Sequence, residues 1–381
     1  MKFIHLADLH LGRSIGGFSL LEDQEYILKQ ILDIIRAEKI EGVLICGDIY
    51  DKTSPLAEAV GLFDDFVTSL AALDLPVFVI SGNHDSAKKL SFAYRLVEKC
   101  GLYLAPVFTG AISTVTLTDE YGPINIHMLP FLKPATAKEF FPEEEIRTHH
   151  DAVRCALAAL ETDPHERHIL LAHQFITGAL STDEESSVGG ADNIGIEIFT
   201  DFDYVALGHL HAPQKLKYDY IRYSGSPLKY SPAEIKQEKS VTIVDLKEKG
   251  NIDIKIIPLM PLRDMREIKG SYDELCQREN YQSTNTDDYL KVILTDENDV
   301  INALAKLRTI YPHILELNYA NKRTLMQENS FAQSEQMLEK TPLEHFNDLY
   351  FKQNNRELDS AQRQYLTELI NKLWEAEQCG R

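Results

Sequence analysis

Residues 2–10 of the chain, KFIHLADLH, contain the pattern on which the prediction of the fold depends. A short apolar run, Lys2–Ala7, is followed directly by the polar pair Asp8 and His10. Four later apolar runs end in the same way, and the polar clusters that follow them are GDIYD at 47–51, GNHD at 82–85, AHQ at 172–174 and GHLH at 208–211. Because ligands of α/β proteins bind beyond the carboxyl ends of the strands, we expect the five clusters to meet at one rim.

Strands and helices alternate over the first 105 residues. Runs typical of buried strands and runs with helical spacing of apolar residues follow one another at Val43–Cys46, Leu56–Leu73, Pro76–Ile80 and Lys88–Cys100. This alternation predicts parallel strands joined by right-handed crossovers. Strand-like runs then dominate as far as residue 257. Residues 1–260 are therefore predicted to form one layered α/β domain, with helices packed on sheets.

The rest of the chain divides into three predicted segments after a short linker at Pro258–Arg263. Residues 264–320 are predicted to form a small α/β domain, in which strand-like and helical runs alternate. Residues 321–341 are polar and without periodicity, which favours an exposed linker. The tail, 342–378, carries two amphipathic helical segments, which suit either docking on the helices of a partner or packing back on their own domain.

Composition excludes several classes of protein. Hydrophobic side chains make up 44% of the 381 residues, which is ordinary for a globular protein and excludes a fibrous or mostly disordered chain. No apolar run approaches the roughly 20 residues that span a bilayer, and no secretory signal precedes Asp8. The five cysteines are widely spaced, with no CxxC pair, so we expect a reducing cytoplasm rather than a disulfide framework or a zinc ribbon.

The balance of charge opposes tight binding of nucleic acid by this chain alone. Lys and Arg number 39 against 59 Asp and Glu, a formal net charge of −20, whereas contacts to phosphates need Lys and Arg. If DNA is the substrate, we expect a second copy of the chain or a partner with a basic surface to contribute to its binding.

The residue types in the five clusters are those of a metal site. Asp, His and Asn supply hard oxygen and borderline nitrogen donors without a thiolate, a set that selects manganese, iron, zinc or magnesium-like ions. His209 and His211, two positions apart on an extended segment, would point the same way, and Asp8 and His10 have the same spacing. The Asp48 carboxylate has two oxygens and can bridge two ions. Two metals about 3.5–4 Å apart clamp the attacking and leaving oxygens of a phosphoryl displacement.

The order DxH, GDxxD, GNHD, AHQ and GHLH resembles that of the calcineurin-like metallophosphoesterases. The segments HLADLHLGR, GDIYDKTSP, ISGNHDS, LGHLHAPQ and RYSGSPLKYSPAE resemble, more closely, the bacterial nuclease subunits of this superfamily that act in the repair of double-strand breaks. The motif resemblance covers about residues 1–235, and the small domain and tail resemble that family in layout only. It implies an α/β fold made of a two-sheet sandwich flanked by helices, with a small capping domain that contacts DNA.

The resemblance also implies a role for each matching residue. The first metal would be held by Asp8, His10, Asp48 and His211, and the second by the bridging Asp48 together with Asn83, His173 and His209. The family uses manganese. His84 would lie over the phosphate and stabilise or protonate the leaving oxygen, without binding metal.

Five further residues near these motifs have two open interpretations each. Asp85 or Asp51 would orient His84, or would merely cap a turn, as Asp readily does. Arg13, Lys88 and Lys89 would contact DNA phosphates, or would be solvated surface charges.

The function implied by the resemblance is that of a manganese-dependent DNA nuclease, with exonuclease and endonuclease activity on double-stranded and single-stranded DNA in repair and recombination. In that family the nuclease is a homodimer, which assembles into a heterotetramer with an ATPase that has a long coiled coil. The alternative is a phosphatase or small-molecule phosphodiesterase of the same superfamily. A scaffold without catalytic activity is not expected, because no ligand of the pattern is missing.

Overall fold

In the computed structural model of the chain, residues 1–91, 97–181 and 193–321 are described, together with the tail positions 343, 346, 347, 350, 358, 362–366 and 369. They fall into two compact units. The larger comprises Met1–Ile268, Arg278–Val292 and Leu304–Glu316, and the smaller comprises Lys269–Gln277, Ile293–Ala303 and Leu317–Arg381. All but the first residue of the predicted linker at 321–341, and most of the predicted tail helices, lie outside the described residues, although several described tail positions are helical.

Strands of the described residues are numbered in chain order. They are β1 Lys2–Leu6, β2 Ser14–Ile15, β3 Phe18–Ser19, β4 Gly42–Cys46, β5 Val77–Ile80, β6 Leu102–Ala105, β7 Ser113–Asp119, β8 Gly122–Leu129, β9 Arg167–His173, β10 Tyr204–Gly208, β11 Gln214–Lys215, β12 Ile221–Tyr223, β13 Ser240–Leu246, β14 Ile252–Pro258, β15 Met265–Gly270, β16 Tyr289–Leu294 and β17 Ile314–Tyr319.

Two six-stranded sheets form the larger part of this fold. The first has the order β14-β13-β1-β4-β5-β6, and its strands β1, β4, β5 and β6 are parallel neighbours. The second has the order β11-β12-β10-β9-β8-β7, in which β8, β9, β10 and β12 are parallel. The central strands of both sheets are almost fully buried, as expected where parallel strands are covered on both faces.

The helices that cover the sheets follow the apolar spacing of the sequence. The described α-helices are α1 Leu21–Glu38, α2 Ala57–Ala71, α3 Ala87–Leu90, α4 Pro134–Phe140, α5 His149–Ala158, α6 Tyr272–Cys276, α7 Arg278–Tyr281 and α8 Ala303–Leu307. The helix predicted over Lys88–Cys100 is only partly described: α3 covers its start and a 3₁₀ turn, Glu98–Cys100, covers its end. Residues 92–96 between them lie outside the described part.

Three apolar clusters show how the layers pack, because successive strand residues point to opposite faces. In β1, Phe3 lies in a cluster with β8, β9 and β10 residues of the other sheet, which places that cluster between the sheets. Its neighbour Ile4 lies with α1 and α2 on the outer face of the first sheet. Leu170 of β9 lies with α5 on the outer face of the second sheet. The predicted two-sheet sandwich flanked by helices is therefore confirmed.

Residues 265–319 contain the strands expected of the small α/β segment. Strands β15, β16 and β17 form a separate three-stranded sheet, with β16 in the middle. Strands and short helices alternate from β15 to β17, as the sequence pattern of this segment predicted. Ser271 caps α6, since its side chain accepts a hydrogen bond from the Glu274 backbone. The division of the chain into a domain at 1–260 and another at 264–320 stays a prediction.

Among the described residues, no helix combines the length and the apolar character that crossing a membrane requires.

Candidate metal centre

The polar clusters meet at one rim of the sandwich. The first sheet contributes Asp8 and His10 after β1, Asp48 after β4 and Asn83 after β5, and the second sheet contributes His173, His209 and His211 at the ends of β9 and β10. Two groups have donor atoms that all lie within 4.8 Å of one another: Asp8 with His10 and His211, and Asp8 with Asp48 and His173.

Asn83, after β5 of the first sheet, and His209, after β10 of the second sheet, complete the cluster. The Asn83 Oδ1 atom lies 2.9 Å from His173 Nε2 and 3.2 Å from His209 Nδ1. Asp48 Oδ2 lies 3.4 Å from the same His173 nitrogen and 3.7 Å from His10 Nε2. Asp48 is therefore the carboxylate that lies between the two histidines, at the position expected of a bridging ligand.

The backbone reaches this geometry through left-handed residues rather than extended ones. Asp8, His10, Asp48 and His209 have φ values of 54°, 42°, 49° and 108°. The expectation that the DxH and HxH pairs point the same way because they are extended is therefore wrong. A left-handed residue is strained unless its surroundings hold it, and here backbone hydrogen bonds join the first two loops, from Asp8 N–H to the Gly47 carbonyl and from His10 N–H to the Asp48 carbonyl.

Glycines in two of the motifs allow the loops to approach closely. A Cβ atom at Gly82 would overlap the Asp48 carboxylate, and one at Gly208 would overlap the Cys46 carbonyl oxygen. A side chain at either position would push a ligand loop away from the rim, which explains why these motifs begin with glycine.

Hydrogen bonds fix the tautomers of two histidines so that one ring nitrogen faces the cluster. His173 Nδ1 lies 2.8 Å from the Cys46 carbonyl oxygen, to which it donates, so its Nε2 offers a lone pair to a cation once the proton that the neighbouring Asp48 holds there is displaced. His211 Nδ1 donates to Glu234 Oε1 over 2.9 Å, so its Nε2 also carries a lone pair. That nitrogen faces His10 Nε2 at 3.1 Å. Several lone pairs directed at one point, beside buried carboxylates, fit divalent cations with nitrogen and oxygen ligands.

The pKa values of the buried carboxylates also fit a site for divalent cations. Burial, helped by the charge of Asp48, raises the pKa of Asp8 to about 7 although the charges of His173 and His211 oppose it. Burial also acts to raise the pKa of Asp48, but the charge and hydrogen bond of His173 outweigh it and hold that pKa well below its usual range. Two carboxylates that cannot both ionise without compensation are suited to divalent cations, which take the place of the protons.

His84 lies beside this cluster without directing a ring nitrogen at a described ligand atom. Its Nδ1 donates to the main-chain carbonyl of Asp51 over 3.0 Å, and its backbone N–H donates to Asp48 Oδ1 over 2.8 Å. Its ring is half-buried and stands edge-on to that of His10, with centroids 4.9 Å apart. The contact of Asp51 with the His84 ring is thus made by its main-chain carbonyl, whereas its carboxylate pairs with Arg13; an orienting role for Asp51 stays a prediction.

The contacts of Asp85 are those of a cap, the other role that the sequence left open for it. Its carboxylate accepts three backbone hydrogen bonds, from Ile49, Tyr50 and Gly82, over 2.9–3.1 Å. These bonds join the 47–51 and 82–85 loops, and the predicted contact of the Asp85 side chain with His84 is not observed. Burial raises the pKa of Asp85 to about 6, with a further contribution from the charge of Asp48.

The three basic residues considered for contacts to DNA have different surroundings. The Arg13 guanidinium pairs with Asp51 Oδ1 at 3.0 Å and lies 5.5 Å from the centre of the Tyr230 ring. Lys88 is exposed on α3. Lys89, also exposed, donates to the Thr53 carbonyl and Ser54 hydroxyl oxygens. Their contact with DNA stays a prediction.

Two buried residues that the sequence analysis did not assign support His211. Glu234 and Lys239 are only 1% and 6% exposed. The Lys239 ammonium donates to Glu234 Oε2 over 2.6 Å and to the His211 carbonyl oxygen over 2.8 Å. Burial acts to raise the pKa of Glu234, but the hydrogen bond from His211 and the charge of Lys239 lower it to about 2. The only sequence signal was the segment YSPAE, which contributed to the resemblance without indicating a role.

We expect Glu234→Gln to weaken metal binding about 10- to 100-fold, because carboxylates that orient ligand histidines typically have effects of this size. Gln keeps the shape of the side chain but removes the negative charge of the carboxylate to which His211 and Lys239 both donate. Manganese titration followed by calorimetry measures the change. Glu238→Gln, at an exposed position four residues along, is the matched control. Equal affinities in the two variants would show that Glu234 does not support the site.

Comparisons with known proteins identify the family of this chain. The family model for calcineurin-like phosphoesterases matches residues 1–213, and that for the type 5 capsule protein repressor C-terminal domain matches residues 261–354. The SbcD subunit of the nuclease SbcCD from Staphylococcus epidermidis is 32% identical over 84% of this chain and 85% of its own. That of Staphylococcus saprophyticus is 34% identical over 83% of this chain and 84% of its own. A solved dimetal phosphatase from Danio rerio aligns with 69% of this chain and 98% of its own, at 12% identity and a TM-score of 0.43.

Proposed function

Because this chain belongs to the calcineurin-like phosphoesterases and, within them, to the family of SbcD nuclease subunits, we propose that it is a manganese-dependent DNA nuclease that works with an SbcC ATPase. The family makes it a metal-dependent phosphodiesterase with a dinuclear site for divalent cations. The nuclease proposal extends this to the processing of DNA ends and hairpins, with exonuclease and endonuclease activity.

The observation that carries the proposal is the cluster of oxygen and nitrogen donors from both sheets at one rim. We assign Asp8, His10, Asp48 and His211 to one ion, and Asp48 with Asn83, His173 and His209 to the other. Bound ions would supply an activated water nucleophile and neutralise the charge of the phosphate. Manganese fits the hard and borderline donors, and the resemblance favours it over iron or zinc.

Three further residues of the chain, His84, Asp85 and Arg13, have the remaining roles in the proposed reaction. His84 is held by the Asp51 carbonyl at Nδ1, so a second proton on its ring sits on Nε2, from which it is donated to the leaving oxygen. Asp85 keeps the loops that carry Asp48 and His84 in register through its backbone hydrogen bonds. Arg13, anchored by Asp51 beside the ligands, would contact a phosphate next to the scissile one.

A net charge of −20 makes partners part of the proposal. Double-stranded and single-stranded DNA would be held by a homodimer of this chain within a heterotetramer with SbcC, in the cytoplasm. The segment 264–320 would cap the site and contact DNA. The amphipathic tail segments at 342–378 would dock on the SbcC coiled coil, where their apolar faces would be buried.

The test is cleavage of linear duplex DNA with manganese, with and without SbcC and ATP. We expect cleavage to appear or rise sharply with the partner, and a chain truncated before Pro342 to remain folded and lose binding of SbcC. Loss of thermal stability in the truncated chain would show that the tail packs on its own domain. Hydrolysis of a nitrophenyl phosphodiester without cleavage of DNA in any condition would support the alternative, a small-molecule phosphodiesterase or phosphatase.

A further inference from the structure

Phe131 lies on the rim immediately beyond β8, next to the candidate metal centre. Its ring centroid is 6.1 Å from that of His173, nearly perpendicular to it, and 5.6 Å from that of His149. Its backbone N–H donates to the Ser81 carbonyl over 3.0 Å, in the loop that leads from β5 to Asn83. Both sheets therefore fix the position of this ring relative to the ligands.

The apolar core does not account for Phe131. The side chain is half-buried, and it belongs to none of the three apolar clusters formed by the described residues. Phe175 provides a comparison, because it follows β9, the parallel neighbour of β8, and its ring lies 6.2 Å from that of His209. Phe175 packs against the outer cluster of the second sheet, whereas the ring contacts of Phe131 are with imidazoles.

A cation lies on the same side. The Lys133 ammonium is 6.0 Å from the centre of the Phe131 ring, and the lysine is exposed. An accessible aromatic ring with an adjacent cation is the combination that binds single-stranded nucleic acid, where bases stack on the ring and the cation meets the backbone. An arriving base would take the place of the ammonium at the ring, and the ammonium would then be free to pair with a phosphate.

We propose that Phe131 is the residue on which a nucleobase next to the scissile phosphate stacks, with Lys133 at the adjacent phosphate. This inference rests on the proposed nuclease function and deepens it, since it names the substrate as DNA that is unpaired at the point of cleavage. A base inside a duplex is already stacked on its neighbours, so it reaches a protein ring only after it leaves the helix, and this costs least in a single strand or at a frayed end.

The test compares Phe131→Leu with the wild-type full chain, with SbcC present where cleavage requires it. The substrates are a labelled single-stranded oligonucleotide and the same oligonucleotide with one abasic residue in its interior. Rates at each phosphate are read on a denaturing gel. Stacking on an aromatic side chain predicts a loss of about 5- to 150-fold in the wild type at the phosphates flanking the abasic residue. The Leu variant should lose a similar factor on intact DNA and nothing further at the abasic residue.

Controls separate stacking from support of His173. Phe131→Tyr, which keeps an aromatic ring, should cleave intact DNA at the wild-type rate and show the wild-type sensitivity to the abasic residue. Phe140→Leu, on α4 with its ring against Phe108, should behave as the wild type. The proposal is overturned if the Leu variant keeps the abasic penalty, or if it loses manganese, which would make Phe131 a packing residue for the ligand. A wild type that hydrolyses a nitrophenyl phosphodiester but cleaves neither oligonucleotide removes the nuclease proposal itself.

Discussion

Asp48→Asn is expected to lose both metal ions and to lower phosphodiester hydrolysis on the order of 10³-fold or more. Asp48 is buried, lies close to both His10 and His173, and keeps its charge at neutral pH. Asn is nearly the same shape and tolerates the left-handed backbone that this position adopts. The substitution therefore removes the bridging charge while it leaves the loop intact. Metal content after gel filtration and turnover of a nitrophenyl phosphodiester measure the two effects.

Asp74→Asn is the matched control for this variant. Asp74 also has a left-handed backbone, with φ of 55°, but it is exposed in the turn before β5. It should retain both ions and full turnover. If Asp48→Asn still held two ions per chain, Asp48 would not be the bridge, and the assignment of ligands would have to be revised.

His84→Ala is expected to keep both ions and to lose about 10²- to 10⁴-fold in the cleavage of DNA. The bond from the backbone N–H of this residue to Asp48 is retained by alanine, so the ligand loop stays in place. The loss should be much smaller for a nitrophenyl ester, because nitrophenolate leaves without a proton. A merely structural role would lower both rates equally.

The comparison with His165→Ala tests whether the effect is specific. His165 is exposed, and its backbone bonds the nearby Asp163 side chain, so this variant should match the wild type on both substrates. A His84→Ala chain that binds one ion fewer would identify His84 as a ligand and remove it from the proton-transfer step.

The position of the site followed from the sequence because two patterns coincide. Buried parallel strands are continuous apolar runs, and five such runs in this chain, at β1, β4, β5, β9 and β10, lead directly into polar residues of metal-binding type. The prediction of one rim required only that parallel strands end on the same side, as β1, β4 and β5 do.

The backbone at the ligands could not be predicted in the same way. Spacing of two residues suggests an extended strand, but Asp8 and His10 have left-handed backbone, which long-range bonds to the loop of Asp48 hold in place. Whether Asp85 caps backbone groups or orients His84 could not be predicted either, because it depends on the N–H groups that the fold brings to its carboxylate. Glu234 and Lys239 pair inside the protein, and nothing local in the sequence distinguishes them from surface charges.

The candidate ligands come from both sheets, and this bears on how the chain stays folded. Asp8 and His209 are 201 positions apart in the sequence and are joined by a hydrogen bond. An ion bound by residues of both sheets would close this long loop, as a covalent cross-link does. Cross-links of long loops restrict the unfolded ensemble, and a ligand that binds only the folded form raises the free energy of unfolding with its concentration. The cations would thus act as a reversible cross-link between the two sheets, so that chelation would lower the free energy of unfolding as well as abolish hydrolysis.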